Sequence, residues 1–237
     1  IASEDPTAAD AGSLAGKSVA MQGFGALEFV LFGTGSEALA DANSYRCSYA
    51  AAIAKNVASI AASIDEEWRR PDGFAAQWAH PGDDNPFFRD ETEAMNELLS
   101  VFVNGLELVR DQRLAFLGKD GGADKPKQAL FWRSDLTVAS LAGNVAGLGK
   151  LFESSGLSAS LPAGQAWIAD SIRFEFANAA RAAEGAAGPI AEVLEDPTRR
   201  SSLAYFGIVT SSLSELFGTR LAAELGLTAG FSSLDGD

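Results

Sequence analysis

The run Met21–Gly33 is apolar almost throughout and carries one carboxylate, Glu28. Charged side chains are almost never fully buried unless paired, and an isolated ionised carboxylate in an apolar setting takes a partner or a proton. Perturbed carboxylates cluster at functional sites, which makes Glu28 a candidate ligand, for a metal among others, or an acid/base group. The alternatives are a helix residue on a solvated stripe and a structural ion pair with an arginine. Gly23 and Gly25 precede it, and Gly25, three residues back, shares its helix face. A glycine there can neither ligate nor move a proton, and it costs roughly 1 kcal/mol relative to alanine in a helix interior.

The groups expected to meet Glu28 are Arg133 and Ser134, which read as opening a helix, and Asp235 and Asp237 at the end of the chain; Asp111 and Arg113 are weaker candidates. An arginine partner would satisfy the carboxylate with no catalytic purpose. His80, in Trp78-Ala79-His80-Pro81, is the one imidazole and Cys47 the one thiol. A zinc site with three nitrogen or sulfur ligands cannot be built from this chain alone, nor can an internal disulfide or a CxxC redox motif. Carboxylates can still hold hard cations. Asp235-Gly236-Asp237 has a spacing seen in calcium loops, but the rest of such a loop is missing. No phosphate-cradling glycine loop or serine-nucleophile motif stands out.

The elements that must position these groups are helical. Ala11–Phe32 reads as a first helix, Ser36–Asn43 as a connection with helical character, and Ser44–Arg69 as a long helix whose stripe Tyr45, Tyr49, Ile53, Val57, Ile60, Ile64 and Trp68 recurs at three and four. Pro71–Asn85 reads as a loop, Glu91–Leu117 as a helix, and Gly118–Lys127 as a turn. Ser134–Phe152, with Leu136 on its apolar side, Leu161–Ala187 with Trp167 and Phe174, and Pro197–Leu225 follow as helices. Tyr45, Tyr49, Trp68, Trp132 and Trp167 read as core, with a pocket lining as the alternative. No stretch alternates with period two, so the fold is all-α, with long antiparallel helices. Gly118–Lys127 divides it best, into 1–117, which carries the Glu28 helix, and 118–237.

The 237 residues are 47% hydrophobic and 21% charged, enough for a sizeable core, and their formal net charge is −14. That balance excludes nucleic acid as a partner, because phosphates demand clustered Lys and Arg. No apolar run reads as a bilayer-crossing segment free of polar interruption. The chain opens at Ile1 rather than Met, which reads as processing or as a piece of something longer.

The stretch Gly23-Phe24-Gly25-Ala26-Leu27-Glu28 before an apolar run resembles the imelysin signature, in which glycine, histidine and glutamate stand as G-x-H-x-x-E. Arg133-Ser134-Asp135-Leu136-Thr137, with Asn144, Gly147-Leu148 and Leu151-Phe152 after it, is similar to that family's middle segment, and Leu225-Gly226-Leu227 through Gly230–Asp237 to its ending. The resemblance implies an all-helical fold of two packed bundles, export to the periplasm or outer cell surface, and a link to iron uptake, with a metal ion or iron chelate as the bound group. Members usually carry a further N-terminal helical portion, so that portion and iron-uptake components are the implied partners. The founding member is described as a peptidase. Here Gly25 stands where the signature histidine is expected, so it reads against the family as a close-packing position or as a lost side chain, and the expectation turns toward a binding protein; a metal-dependent peptidase completed elsewhere and a helical docking scaffold are the alternatives.

Overall fold

A computed structural model describes residues 4–118, 122–228 and 230; among them there are helices, turns and no strand. The all-α reading holds. The chain forms two compact units, Ile1–His80 with Asn85–Phe87, and Pro81–Asp84 with Phe88–Asp237. The Gly118 turn lies inside the second.

In the first unit, α1 (Ala11–Leu14), a 3-10 turn at Val19–Met21 and α2 (Gly23–Phe32) replace the single helix read over Ala11–Phe32. The break is at the glycines. Gly23 takes φ +80°, a left-handed backbone that other residues adopt only with strain, and Gln22 before it is extended. α3 (Tyr45–Arg69) starts where Ser44 accepts a hydrogen bond from the Cys47 amide at 3.2 Å. Its start meets the end of α2 and Asn56 meets Gln22 ahead of α2, so the two run antiparallel. The core joins Ala8, Leu14, Val30, Tyr49, Ala52 and Ile53.

The expected stripe on α3 is core only as far as Ile53, with Val57 half-buried. Ile60, Ile64 and Trp68 are 50%, 62% and 48% exposed. The reason is length: at 1.5 Å per residue, the ten residues of α2 span less than half of the 25 of α3. By length and composition alone one window within Tyr45–Ala79 passes as a membrane-crossing length, with a mean hydropathy of 1.2, and 22% of that window is buried. The polar interruptions read from the sequence stand within it, Lys55 and Asn56 among them. The loop read over Pro71–Asn85 contains α4 (Phe74–Ala79), because Phe74 packs on Trp68, Trp78 and Phe87 with ring centroids 5.2 to 5.5 Å apart.

The second unit begins with α5 (Glu91–Glu107), capped by Asp90 accepting from the Glu93 amide, and continues as a π-helical turn at Leu108–Arg113. Then come α6 (Thr137–Ser154), α7 (Ala166–Gly185), α8 (Ile190–Glu195) and α9 (Pro197–Glu215), a second π turn at Leu216–Leu221 and α10 (Ala222–Leu225). Asp196 accepts from the Thr198 and Arg199 amides and Pro197 sits in the first turn, both good helix starters. α7 packs on α6 and α9, and α5 on α9. The centre is aromatic: Phe217 stacks on Phe102 at 4.3 Å, with Phe152 edge-on to both. Leu136, read as apolar-side, is 53% exposed because it caps α6 rather than lying in it; Trp167, read as core, is 50% exposed, and Phe174 on the same helix 62%.

Candidate functional site

The site read from the sequence is carried by α2. Its ten residues lie against α3, with Val30 buried inward and Glu28 only 8% exposed. Gly23, the first residue of α2, is required by its left-handed backbone. Gly25 is not required by its surroundings: a Cβ built there would meet nothing within 4 Å. The close-packing reading of Gly25 is therefore corrected, and the position is open space one turn before Glu28 on the same face.

What fixes α2 is a residue the sequence reading did not single out. Arg46 is 4% exposed. Its Nε donates to the Val30 carbonyl at 2.7 Å, Nη1 to Thr34 at 2.9 Å, and Nη2 to Phe29 at 2.8 Å and Gly33 at 3.2 Å. A helix leaves its last carbonyls without partners and its C-terminus partly negative, so one guanidinium satisfies both needs. The guanidinium carbon also lies 5.8 Å from the Phe29 ring centroid. Gly35, at φ +86°, makes room for it, since a Cβ there would fall 2.8 Å from Arg46 Nη1. The signal was present: a charged residue at 46 shares the stripe of Tyr49 and Ile53, and a buried arginine needs acceptors.

The other end of α2 is tied as well. The Tyr49 hydroxyl donates to the Met21 carbonyl at 2.6 Å, Asn56 Nδ2 to Gln22 Oε1 at 2.6 Å, and Gln22 Nε2 to the Lys17 carbonyl at 2.8 Å. Burial raises the phenol pKa of Tyr49 and of Tyr45, whose hydroxyl donates to the Asp5 carbonyl. Asp5 itself is held down to about 2, first by the Thr7 hydroxyl and amide and then by Lys17.

The expected partners lie as follows. Gly23, Gly25 and Glu28 belong to the first unit, Arg133 and Ser134 to the second. Arg133 and Ser134 do not open a helix: α6 begins at Thr137, and they occupy a turn between Phe131 and Asp135, both left-handed at φ 60° and 59°. The Arg133 guanidinium lies over the Trp132 ring at 4.4 Å, and Ser134 Oγ donates to the Phe131 carbonyl at 3.2 Å. Asp235 and Asp237 lie outside the described residues. Asp111 takes both arms of the Arg110 guanidinium. His80 caps α4, and its carbonyl accepts from Asn85 at 3.0 Å; the Cys47 thiol donates to the Leu39 carbonyl.

Among the described residues no group of three or more His, Cys, Asp and Glu side chains is placed to hold a metal ion. These residues do not fit a resident ion held on protein donors alone. One buried carboxylate beside open space can add a single oxygen to a metal that arrives with its other positions already filled.

Comparison with curated proteins finds no match, and comparison with solved structures finds none. The imelysin family model, peptidase M75, matches residues 2–216. The match takes in α2 and nearly all of both units, and the chain belongs to the imelysin family.

Proposed function

We propose that this chain is an imelysin-family binding protein of an iron-acquisition system, exported to the periplasm or outer cell surface, that binds iron as a chelate and does not cleave peptides. The observation that carries the reading is the α2 face itself, where Glu28 is buried and Gly25 leaves open space in place of an imidazole. Peptide hydrolysis on a protein-bound metal needs several protein donors and an activated water. A chelated ferric ion brings most of its own ligands and needs from the protein a shaped cleft and one or two oxygens. The link to iron, the export and the iron-uptake partners rest on family membership. The formal charge of −14 suits a cationic or neutral cargo better than an anionic one.

The test is a pair of assays on the full chain. Ferric nitrilotriacetate, formally neutral with open coordination positions, is titrated by calorimetry, and casein is incubated with the protein and added zinc. Chelate binding without cleavage supports the reading. Zinc-dependent cleavage abolished by Glu28→Gln with the fold intact replaces it with the peptidase, and neither binding nor cleavage leaves a helical scaffold.

A further inference from the structure

The second unit contains a cavity of about 480 Å³ between α6 and α7, closed below by α9, and it is independent of the α2 reading. The two helices run antiparallel here, since Gly149 faces Phe176 and Glu153 pairs with Arg173. The volume lies within the roughly 300 to 1,000 Å³ of small-molecule sites. Ala142, Ala146, Ala179 and Ala183 line it with short side chains that leave the space, and its aromatic lining is Phe176 with Phe206 of α9. Phe176 is held from behind by Phe217, with ring centroids 6.1 Å apart.

The polar groups at this cavity are of one sign. Asp135, in the turn before α6, and Glu184, in the last turn of α7, both line it. Among the described residues neither side chain takes part in a hydrogen bond or ion pair, whereas Asp5, Asp124, Glu153 and Asp196 each hold a cation. No lysine or arginine lines the cavity to offset them. An apolar chamber with an aromatic wall and two unpaired carboxylates at its mouth complements an ammonium group on an apolar body; a neutral ligand leaves the carboxylates unused and an anion is repelled.

We propose that the α6–α7 cavity binds a small organic cation, an amine carried on an apolar body, with the body against Phe176 and Phe206 and the ammonium between Asp135 and Glu184. The test titrates the full chain at low ionic strength with 2-phenylethylamine, with neutral 2-phenylethanol, and with 3-phenylpropionate. The amine is expected to bind about ten-fold more tightly than the alcohol, the sum of two exposed ion pairs, and the acid not at all. The double variant Asp135→Asn, Glu184→Gln should bring the amine down to the level of the alcohol with the melting temperature unchanged, since asparagine tolerates the left-handed backbone at position 135. Ala183→Phe, which fills the chamber, should remove binding of both. Equal binding of amine and alcohol, an unchanged double variant, or no binding of the amine overturns the proposal.

Discussion

Arg46→Ala is the substitution expected to loosen α2. The side chain gives four hydrogen bonds to carbonyls. Two of the acceptors keep other donors: Phe29 O accepts from the Gly33 amide at 2.9 Å, and Gly33 O from the Ser36 amide at 3.0 Å. The loss therefore concentrates on the Val30 and Thr34 carbonyls, where a buried acceptor left without its charged donor costs roughly 1–3 kcal/mol. Water reaches the Thr34 side, because that bond is only part-buried, so one full cost and one partial cost give about 3 kcal/mol in total. Arg46→Lys keeps the charge but presents no planar fork, and should lose about half as much. The assay is urea unfolding followed by circular dichroism, with the slope compared between variants so that a change in midpoint reads as a change in stability. A loss below about 0.5 kcal/mol for Arg46→Ala, the size of an ordinary surface substitution, would refute the role of Arg46 as the clamp of α2.

Three further outcomes follow from the same geometry. Gly25→Ala should stabilise the chain by about 0.5–1 kcal/mol, because a Cβ there meets nothing and the helix gains propensity; destabilisation in urea would show that the space is not open. Phe217→Ala should cost about 3–5 kcal/mol by emptying the stack with Phe102, Phe152 and Phe176, with a melting curve as the check. Asp5 has a folded pKa lowered from 3.8 to about 2, so its contribution is complete above pH 3.8 and fades as the pH falls through 2. Acid unfolding of Asp5→Asn should accordingly show a flatter stability profile between pH 4 and 2 than the parent, and identical profiles would contradict the assignment.

Helix periodicity made most of the fold readable, and Pro197 marked the start of α9; Ser44, Asp90 and Asp196, each one residue ahead of the helix it starts, are boundary signals that the sequence reading did not use. What periodicity does not contain is the length of the neighbour. Ile60, Ile64 and Trp68 keep the spacing of a core stripe although α2 is too short to cover them. Nor does apolar character reveal backbone handedness, which is why Gly23 split a helix that read as continuous. The oddity of Glu28 was legible as an unexplained carboxylate, and the site around it was legible only through the family motif. Arg46 was passed over because a single arginine near a helix start reads as solvated until the carbonyls it collects, 12 to 17 residues away in sequence, are placed beside it.

The central claim is that α2 serves binding through Glu28. The most direct measurement is a calorimetric titration of ferric nitrilotriacetate into the full chain and into Glu28→Gln, with melting temperatures of both. Saturable binding by the parent, weakened at least ten-fold by Glu28→Gln at a temperature where both proteins are fully folded, is the expected result. Equal affinity in the two proteins, or no heat with either, would contradict it.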